Sequence, residues 1–320
     1  MTWGVAVLAA GQGTRMHSMV PKVLHHLEGR PLVDWVLDLA LGCAAPPSVA
    51  VVVGHGGEQV AAHVRPRGVR VALQQPQLGT GDALRVALEA LAGHDRPEGV
   101  LVLSGDVPLL RPETLRRLQA ALGEGVATVL LTARLDSPGA YGRVLRDEAG
   151  EVTAVVEARD ASEGVLRVNE VNAGVYALRP RPVLEALPEL TSDNRQGELY
   201  LTDLPPLLRR RGLGVHAVEL DDPQEMTGVN SRADLAAVAA VLNRRTLERI
   251  MAAGVTVLDP GTTRVESACT VEQDALLEPG VVLRGGCRVG RGARIGAHAV
   301  VDGVDIPPGE VVPPLSHRGR

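Results

Sequence analysis

The first hundred residues alternate short apolar runs with segments of helical periodicity. Residues 5–10 include no polar side chain and end at Gly11, which is typical of a buried parallel strand. This alternation predicts a parallel, doubly wound sheet of the Rossmann-like α/β class, with ligands at the carboxyl ends of the strands. Further strands are predicted over 48–53, 69–73 and 100–103, and helices over 31–40 and 79–91.

The pattern changes twice in the second half of the chain. The pattern of residues 126–178 predicts mostly β-structure with hairpin-like segments, and helical patterns follow it. Helices are predicted over 181–187 and 202–210, a strand over 214–220, and a long amphipathic helix over 234–251.

A six-residue period dominates the last part of the chain. Small residues follow the first six aliphatic positions at a spacing of four, and this pattern predicts a short left-handed parallel β-helix of hexapeptide repeats, about two coils long. The aliphatic positions are Val265, Val271, Leu277, Leu283, Val289, Ile295 and Val301. The predicted organisation is a doubly wound α/β domain over 1–230, a connecting helix over 231–252, a truncated β-helix over 253–306 and a proline-rich tail over 307–320.

Composition narrows the classes of function. The net charge is −5 without a basic stripe, so the sequence gives no sign of nucleic-acid binding. No apolar run reaches the ~18 residues of a membrane span. Cys269 and Cys287 occupy small-residue positions of the repeat, which indicates packing, and with Cys43 they form a sparse, odd set that suits a reducing compartment. We therefore expect a cytoplasmic protein that does not contact membranes.

Lys22 is the only lysine among 33 basic residues. It follows a glycine loop, Gly11-x-Gly13-Thr14-Arg15, that comes directly after the first strand. Backbone N–H groups of such a loop can approach an anion closely, and a compact ammonium differs from a planar guanidinium in how it binds phosphate. The loop lacks the third glycine of a dinucleotide fingerprint and the Gly-Lys-Ser/Thr of a P-loop. The alternative interpretations are that the glycine loop is only a tight turn and that the single lysine was retained by chance.

One side chain is a candidate metal ligand, and a second polar side chain is a weaker candidate for a functional role. Asp106 follows a predicted strand and Gly105, and a hard oxygen ligand at a strand end suits Mg²⁺. Asn230 follows Gly228-Val229 and precedes the long helix. The alternative interpretations are that Asp106 only forms a turn and that Asn230 only caps the helix.

Several motifs together resemble a known family, the sugar-1-phosphate nucleotidyltransferases. The resemblance rests on residues 8–16 and 21–24, and residues 3–251 are most similar to the bacterial bifunctional members, which acetylate glucosamine-1-phosphate and uridylylate N-acetylglucosamine-1-phosphate. The further matching segments are 74–81, 104–109, 141–144, 156–157, 172–174, 196–203 and 228–230.

This resemblance implies a role for each matching residue. Arg15 and Lys22 would bind the triphosphate, while Asp106 and Asn230 would hold Mg²⁺. Uridine would be bound by Ala10, Gly11, Gln74, Gln77, Gly79 and Thr80, and the N-acetylated sugar by Gly142, Glu157, Asn172 and Thr202. Glu157 could instead be a surface residue, Asn172 a turn residue and Thr202 an N-cap.

The implied reaction is uridylyl transfer from UTP to N-acetylglucosamine-1-phosphate, with release of pyrophosphate. Family members carry acetyl transfer on later coils of the β-helix, so we expect no acetyltransferase activity from this chain. It is either cut within the β-helix or naturally short, and the proline-rich end favours the second. Family trimers form through the β-helix, and an uncapped coil favours self-association. The rival functions are transfer to another sugar-1-phosphate or with another base, and non-catalytic binding of a sugar nucleotide.

Overall fold

A computed structural model describes residues 1–11, 13–54, 56–93 and 96–319. The chain divides into two compact units, Met1–His25 with Pro31–Ser231, and His26–Arg30 with Arg232–Arg320. Among the described helices, none combines the length and the apolar character needed to cross a membrane.

The first unit is built from alternating strands and helices. Its first strand is β1 (Trp3–Leu8). A short two-stranded ribbon, β2 (His26–Leu27) with β3 (Arg30–Pro31), follows in the chain, and residues 26–30 of this ribbon belong to the second unit. The remaining strands of the first unit are β4 (Val49–Val53), β5 (Arg70–Leu73), β6 (Gly99–Ser104), β7 (Val126–Arg134), β8 (Arg143–Arg146), β9 (Val152–Val156), β10 (Glu170–Leu178) and β11 (Gly214–Glu219). The helices are α1 (Leu32–Cys43), α2 (Glu58–Val64), α3 (Thr80–Leu91), α4 (Pro112–Ala121), α5 (Glu163–Leu166), α6 (Pro180–Ala186) and α7 (Leu204–Arg210).

The main sheet has the strand order β11-β7-β10-β6-β1-β4-β5, with β8 and β9 attached beside β10. Strands β5, β4, β1 and β6 run parallel, which confirms the predicted doubly wound arrangement. Strand β10 runs antiparallel to both of its neighbours β6 and β7, so the complete sheet is mixed. The order of connections reverses between β1 and β6, and in open α/β sheets the ligand crevice lies at such a switch point.

Two hydrophobic clusters cover the two faces of this sheet. Alternation along β1 sends Val5 and Val7 to one face, where helices α1, α2 and α4 pack, and Ala6 to the other, where α3, α6 and α7 pack. Strand β4 is buried on both faces along its whole length, as its uninterrupted apolar sequence predicts. The parallel strands are therefore fixed from both sides, and the loops at their carboxyl ends carry the polar residues.

The second unit combines one long helix with a parallel β-helix. Its elements are α8 (Arg232–Ala252), β12 (Thr256–Val257), β13 (Arg264–Val265), β14 (Thr270–Val271), β15 (Leu276–Leu277), β16 (Val282–Arg284), β17 (Arg288–Val289), β18 (Arg294–Ile295), β19 (Val300–Asp302), β20 (Val311–Val312) and β21 (His317–Gly319). Two faces hold four parallel strands each, β12-β15-β18-β20 and β13-β16-β19-β21. The third face holds β14 and β17, extended by a bridge from Val289 to Ile306.

The β-helix is longer than the sequence period indicated. We expected about two coils ending at residue 306 and a tail from 307, but β20 and β21 stack in parallel on β18 and β19. The prediction was wrong because the period slips by one residue after Val301. Buried aliphatic residues resume at Ile306 and Val312, which are six apart again. Counting in sixes from Val301 gives Pro307 and Pro313 instead, so the period counted from Val301 ends there.

The inward positions of the β-helix are filled as the period predicted. Cys269 and Cys287 lie one coil apart with 3.4 Å between their Sγ atoms, and both are buried. On the outside, the residues that follow three inward positions, Glu266, Glu272 and Glu278, each accept a backbone N–H from nineteen residues later. Each glutamate therefore ties one coil to the next.

Candidate functional site

The single lysine lies between the two predicted metal ligands. Lys22 Nζ donates a hydrogen bond to Oδ2 of Asp106, and 3.1 Å separates it from Oδ1 of Asn230. The Lys22 and Asp106 side chains are only 11% and 16% exposed, so their charges are partly shielded from water. The structure thus brings together three residues of which the first and the last are 208 positions apart in the sequence.

Local backbone contacts explain why these side chains converge. Asp106 comes two residues after β6, and its carbonyl oxygen accepts a hydrogen bond from Val229 N at 2.9 Å. This bond draws residues 228–230 to the end of β6 and places Asn230 beside Asp106. On the other side, Lys22 begins a short 3₁₀ turn directly after Pro21.

Gly13 permits a close approach of the glycine loop to Lys22. Its φ of 64° lies in the left-handed region, and a Cβ at this position would be 2.6 Å from Cβ of Lys22. The glycine loop therefore packs against the stem of the lysine. Gln12, inside the same loop, lies outside the described residues.

The Asp106–Asn230 pair has the donor chemistry of a magnesium site. One carboxylate and one amide oxygen already point at a common positive charge, the Lys22 ammonium. Mg²⁺ prefers oxygen ligands and usually takes only one or two from the protein, leaving other positions for water and phosphate. These residues could therefore hold such a cation next to a bound polyphosphate.

Arg15 is placed differently from Lys22. It lies in a 3₁₀ turn, Thr14–Met16, whose buried Met16 anchors the loop, while Arg15 itself is exposed. An exposed guanidinium on the glycine loop is available to an anion that enters the cleft.

The predicted base-binding residues surround the ends of β1 and β5. Gln77 Nε2 donates a hydrogen bond to the carbonyl oxygen of Ala10, which joins the loops after these two strands. Thr80 Oγ1 accepts a hydrogen bond from Leu201 N at 3.0 Å and so ties the start of α3 to residues 199–201. Gly11 is exposed and has open space around its Cα.

Gln74 and Gly79 belong to the same set of predicted base-binding residues. Gln74 is only 2% exposed, and its Nε2 donates to the carbonyl oxygen of Gly79 at 2.8 Å. Gly79 has φ 116°, and a Cβ there would be 2.6 Å from the carbonyl oxygen of Leu199. A glycine is therefore required at this position by both the backbone conformation and the packing.

The four residues predicted to bind a sugar form one connected group. Thr202 Oγ1 donates to Oε1 of Glu157 at 2.9 Å, and Asn172 N donates to the carbonyl oxygen of Gly142 at 2.9 Å. The ideal Cβ of Gly142 would be 3.6 Å from Oε1 of Glu157, so the two pairs are neighbours. Glu157 is thus part of the cleft and not a surface residue.

Asn172 is oriented by an irregularity in its strand. The pairing of β10 with β7 shifts register between Asn172 and Tyr176, and Gly174 within this bulge has φ 72°. Asn172 Nδ2 donates to the Tyr176 hydroxyl at 2.8 Å, and Asn172 Oδ1 accepts from Gly174 N at 3.1 Å. Both ends of the amide are therefore fixed.

Burial changes the ionisation of this group. Loss of hydration raises the pKa of Glu157, and the carboxylates of Asp160 and Asp203 raise it further, against the lowering effect of the Thr202 hydroxyl. Burial also raises the pKa of Tyr200 to about 12, with the charge of Asp160 contributing. The group around Glu157 is therefore acidic and partly buried, whereas Lys22 and Arg15 bring positive charge to the glycine loop.

Comparison with known proteins identifies the family of this chain. A family model described as a MobA-like NTP transferase domain matches residues 5–204, well over half of the chain. This chain belongs to the family of MobA-like NTP transferase domains. A second model, the bacterial transferase hexapeptide with six repeats, matches residues 268–303 of the same transferase chain.

Similar proteins share both parts of this NTP transferase. The chain is 48% identical over 280 residues to "Bifunctional protein GlmU" of Streptomyces avermitilis, covering 86% of this chain and 58% of that protein. It is 44% identical over 275 residues to the protein of the same name from Pelobacter propionicus, covering 85% and 59%. The NTP transferase thus spans a little over half the length of these curated relatives.

Two residues near the sugar group had no role in the sequence-based prediction for this NTP transferase. The Tyr200 hydroxyl and Oδ2 of Asp160 are both sealed from solvent, and the Asp160 carboxylate is close enough to raise the pKa of Tyr200. Tyr200 lies within the matching segment 196–203, so the motif contained a signal for it. Asp160 carried no comparable signal, since an aspartate after a strand is common in turns.

Proposed function

We propose that this chain catalyses nucleotidyl transfer to a sugar-1-phosphate, and more specifically uridylyl transfer from UTP to N-acetylglucosamine-1-phosphate, with release of pyrophosphate. The single observation that carries this proposal is the convergence of Lys22, Asp106 and Asn230 at the switch point of the sheet. One ammonium and two oxygen ligands at that position suit a nucleoside triphosphate with its cation.

The reaction needs no nucleophilic side chain. A phosphate oxygen of the sugar-1-phosphate attacks the α-phosphorus of UTP, and the bond from that phosphorus to the pyrophosphate oxygen breaks. Two anions must meet, so positive groups near the α- and β-phosphates reduce their repulsion and stabilise the charge that develops on pyrophosphate. Lys22 would supply one such positive group, and Arg15 would supply a second from the glycine loop.

Asp106 and Asn230 would hold the magnesium ion of this reaction. When bound, Mg²⁺ would polarise the phosphate oxygens and neutralise part of their charge. Because Lys22 contacts both oxygens in the protein alone, it would shift toward the phosphates when a cation takes its place.

The sugar side of the cleft supports an N-acetylated substrate. Carboxylate, amide and hydroxyl groups of Glu157, Asn172 and Thr202 lie together and can bind sugar hydroxyls and an acetamido group. The similarity to proteins named "Bifunctional protein GlmU", together with the NTP transferase family model, supports nucleotidyl transfer to a sugar-1-phosphate. The absence of acetyl transfer and the formation of a homo-oligomer remain predictions.

A substrate panel tests the proposal. The purified chain is incubated with each of UTP, CTP, GTP and ATP against N-acetylglucosamine-1-phosphate, glucosamine-1-phosphate and glucose-1-phosphate, and pyrophosphate release is measured. We expect the UTP and N-acetylglucosamine-1-phosphate pair to have the highest kcat/KM. A different best pair would replace the specific reaction with another nucleotidyl transfer. Nucleotide binding without turnover in any combination would identify a non-catalytic binding protein.

A further inference from the structure

The side-chain amide of Gln74 is held at one end by two acceptors. Its Nε2 donates to the carbonyl oxygen of Gly79 at 2.8 Å and to Oδ2 of Asp82 at 2.9 Å. A backbone carbonyl and a carboxylate only accept hydrogen bonds, so the amide end that faces them must be the nitrogen. The orientation of Gln74 therefore follows from the chemistry of its partners.

The other end of this amide is left open. Among the residues that the structure describes, none donates a hydrogen bond to Oε1 of Gln74. This oxygen is also not one of the polar atoms that are sealed from solvent without a partner. Since Gln74 as a whole is 2% exposed, the carbonyl oxygen is the part of the side chain that it presents to the cleft.

Asp82 is itself fixed in position. It lies in the first turn of α3, is 4% exposed, and its Oδ1 accepts from Nε and Nη2 of Arg85 at 3.1 and 2.7 Å. Arg85 in turn pairs with Glu89 at 2.7 Å. Because the guanidinium occupies Oδ1, the second carboxylate oxygen is left for Gln74.

We propose that Asp82 is a positioning residue for base selection: it fixes Gln74 with its carbonyl oxygen toward the nucleobase. This inference rests on the proposed function, in which Gln74 lies against the base of UTP. Uracil carries an N–H at position 3 and can donate to Oε1. Cytosine carries a bare nitrogen there, which would meet a second acceptor, and such a mismatch in a buried site leaves both groups unpaired.

In the variant Asp82→Asn, the two partners of the Gln74 amide should favour opposite orientations of that amide. Arg85 only donates, so it would take the amide oxygen of the new asparagine and leave its NH₂ group facing Gln74. Gly79 would still favour the nitrogen of Gln74, while the asparagine would favour its oxygen. Both orientations would then be populated, and the ratio of kcat/KM for UTP to that for CTP should fall about tenfold or more.

A second change should reverse part of this effect. In the double variant Asp82→Asn with Arg85→Met, nothing claims the asparagine oxygen, which can turn to accept from Gln74 Nε2. The UTP-to-CTP ratio should then recover toward the wild-type value. A role for Asp82 in stability alone does not predict recovery, because the second change removes a further contact of α3, the ion pair between Arg85 and Glu89.

The control is Glu89→Gln, which removes the same charge about two turns further along α3 at a side chain that is 57% exposed. It should keep the wild-type ratio. Asp82→Ala is the second test variant, and it should give an intermediate ratio because Gly79 alone still holds the nitrogen. Melting temperatures of all variants, and calorimetric binding of UDP and CDP, accompany the kinetics.

The outcomes separate this inference from the proposed function. A folded Asp82→Asn or Asp82→Ala protein with the wild-type ratio would overturn the inference, as would a double variant with a lower ratio than Asp82→Asn. If the wild-type protein itself fails to prefer UTP over CTP, in turnover and in binding, the proposed uridylyl transfer fails first. A wild-type protein that prefers UTP but another sugar phosphate leaves the Asp82 test unchanged.

Discussion

Lys22 Nζ lies 3.1 Å from Oδ1 of Asn230, a residue 208 positions later in the chain. The same ammonium donates to Asp106, so one cation contacts both oxygen ligands of the proposed magnesium site. This arrangement keeps the carboxylate and the amide oxygen in place around a positive charge. It also means that the lysine and a metal ion would compete for the same oxygens.

Replacing Lys22 by arginine should remove most activity and leave the fold intact. A guanidinium is planar and larger than an ammonium, and the Lys22 ammonium lies between Asp106 and Asn230 on a side chain that is only 11% exposed, which leaves little room for the larger group. We expect kcat for pyrophosphate release to fall by about a hundredfold, the usual effect of losing one electrostatic contact to a transition state.

The matched control for Lys22→Arg is Arg116→Lys, the reverse exchange in an exposed ion pair with Glu113. It should change neither kcat nor the melting temperature. Near-wild-type turnover by Lys22→Arg would show that a point charge is not needed, and the role proposed for this lysine would be wrong.

Asp106→Asn should weaken magnesium binding. The change keeps the size of the side chain but removes the only carboxylate of the proposed pair, so the Mg²⁺ concentration for half-maximal activity should rise about tenfold or more. A chelator should abolish wild-type activity, and added Mg²⁺ should restore it. Asp221→Asn, at a side chain that is 84% exposed, is the control. Full activity of the wild-type protein in excess chelator would exclude the proposed metal site.

The sequence predicted most of this site because its residues follow strand ends. Gln74 comes directly after β5 and Asp106 two residues after β6, where the sheet topology alone brings side chains to one edge. Asn230 could not be placed by topology, since its position depends on one backbone bond from Val229 to Asp106. The resemblance to the family supplied that residue, and the structure supplied the contact.

Other features could not be predicted because they depend on register. The bulge that orients Asn172 requires two residues more on β10 than on β7, and no side-chain pattern signals it. The β-helix beyond Val301 was missed for the same reason, since one deleted position moved the inward residues to Ile306 and Val312. A fixed period is informative only until the first insertion or deletion.

Glu157→Gln should change how stability depends on pH. Burial raises the pKa of Glu157, so the folded protein holds this proton more tightly than the unfolded chain. Wild-type stability from this group is therefore greatest at acidic pH and is lost as pH rises through the raised pKa. Glutamine cannot ionise but can still accept from Thr202.

The difference in melting temperature between Glu157→Gln and wild type should consequently shift in favour of the variant between pH 4 and pH 7.5. Thermal unfolding measured across this range gives the comparison, with exposed Glu124→Gln as the control. A difference that stays constant with pH would show that Glu157 ionises as readily in the folded protein as in the unfolded chain.

Glu278→Gln should have the opposite pH dependence in the second unit. Arg294 and the backbone N–H of Ala297 lower the pKa of Glu278, so its stabilising effect is present above the ordinary glutamate range and is lost as pH falls through the lowered pKa. The variant should melt below wild type at pH 7, and the gap should close by pH 3. Glu113→Gln removes an exposed ion pair that joins no coils, and its melting temperature should match wild type at pH 7. If both variants behave alike, the contact between coils adds nothing beyond a surface ion pair.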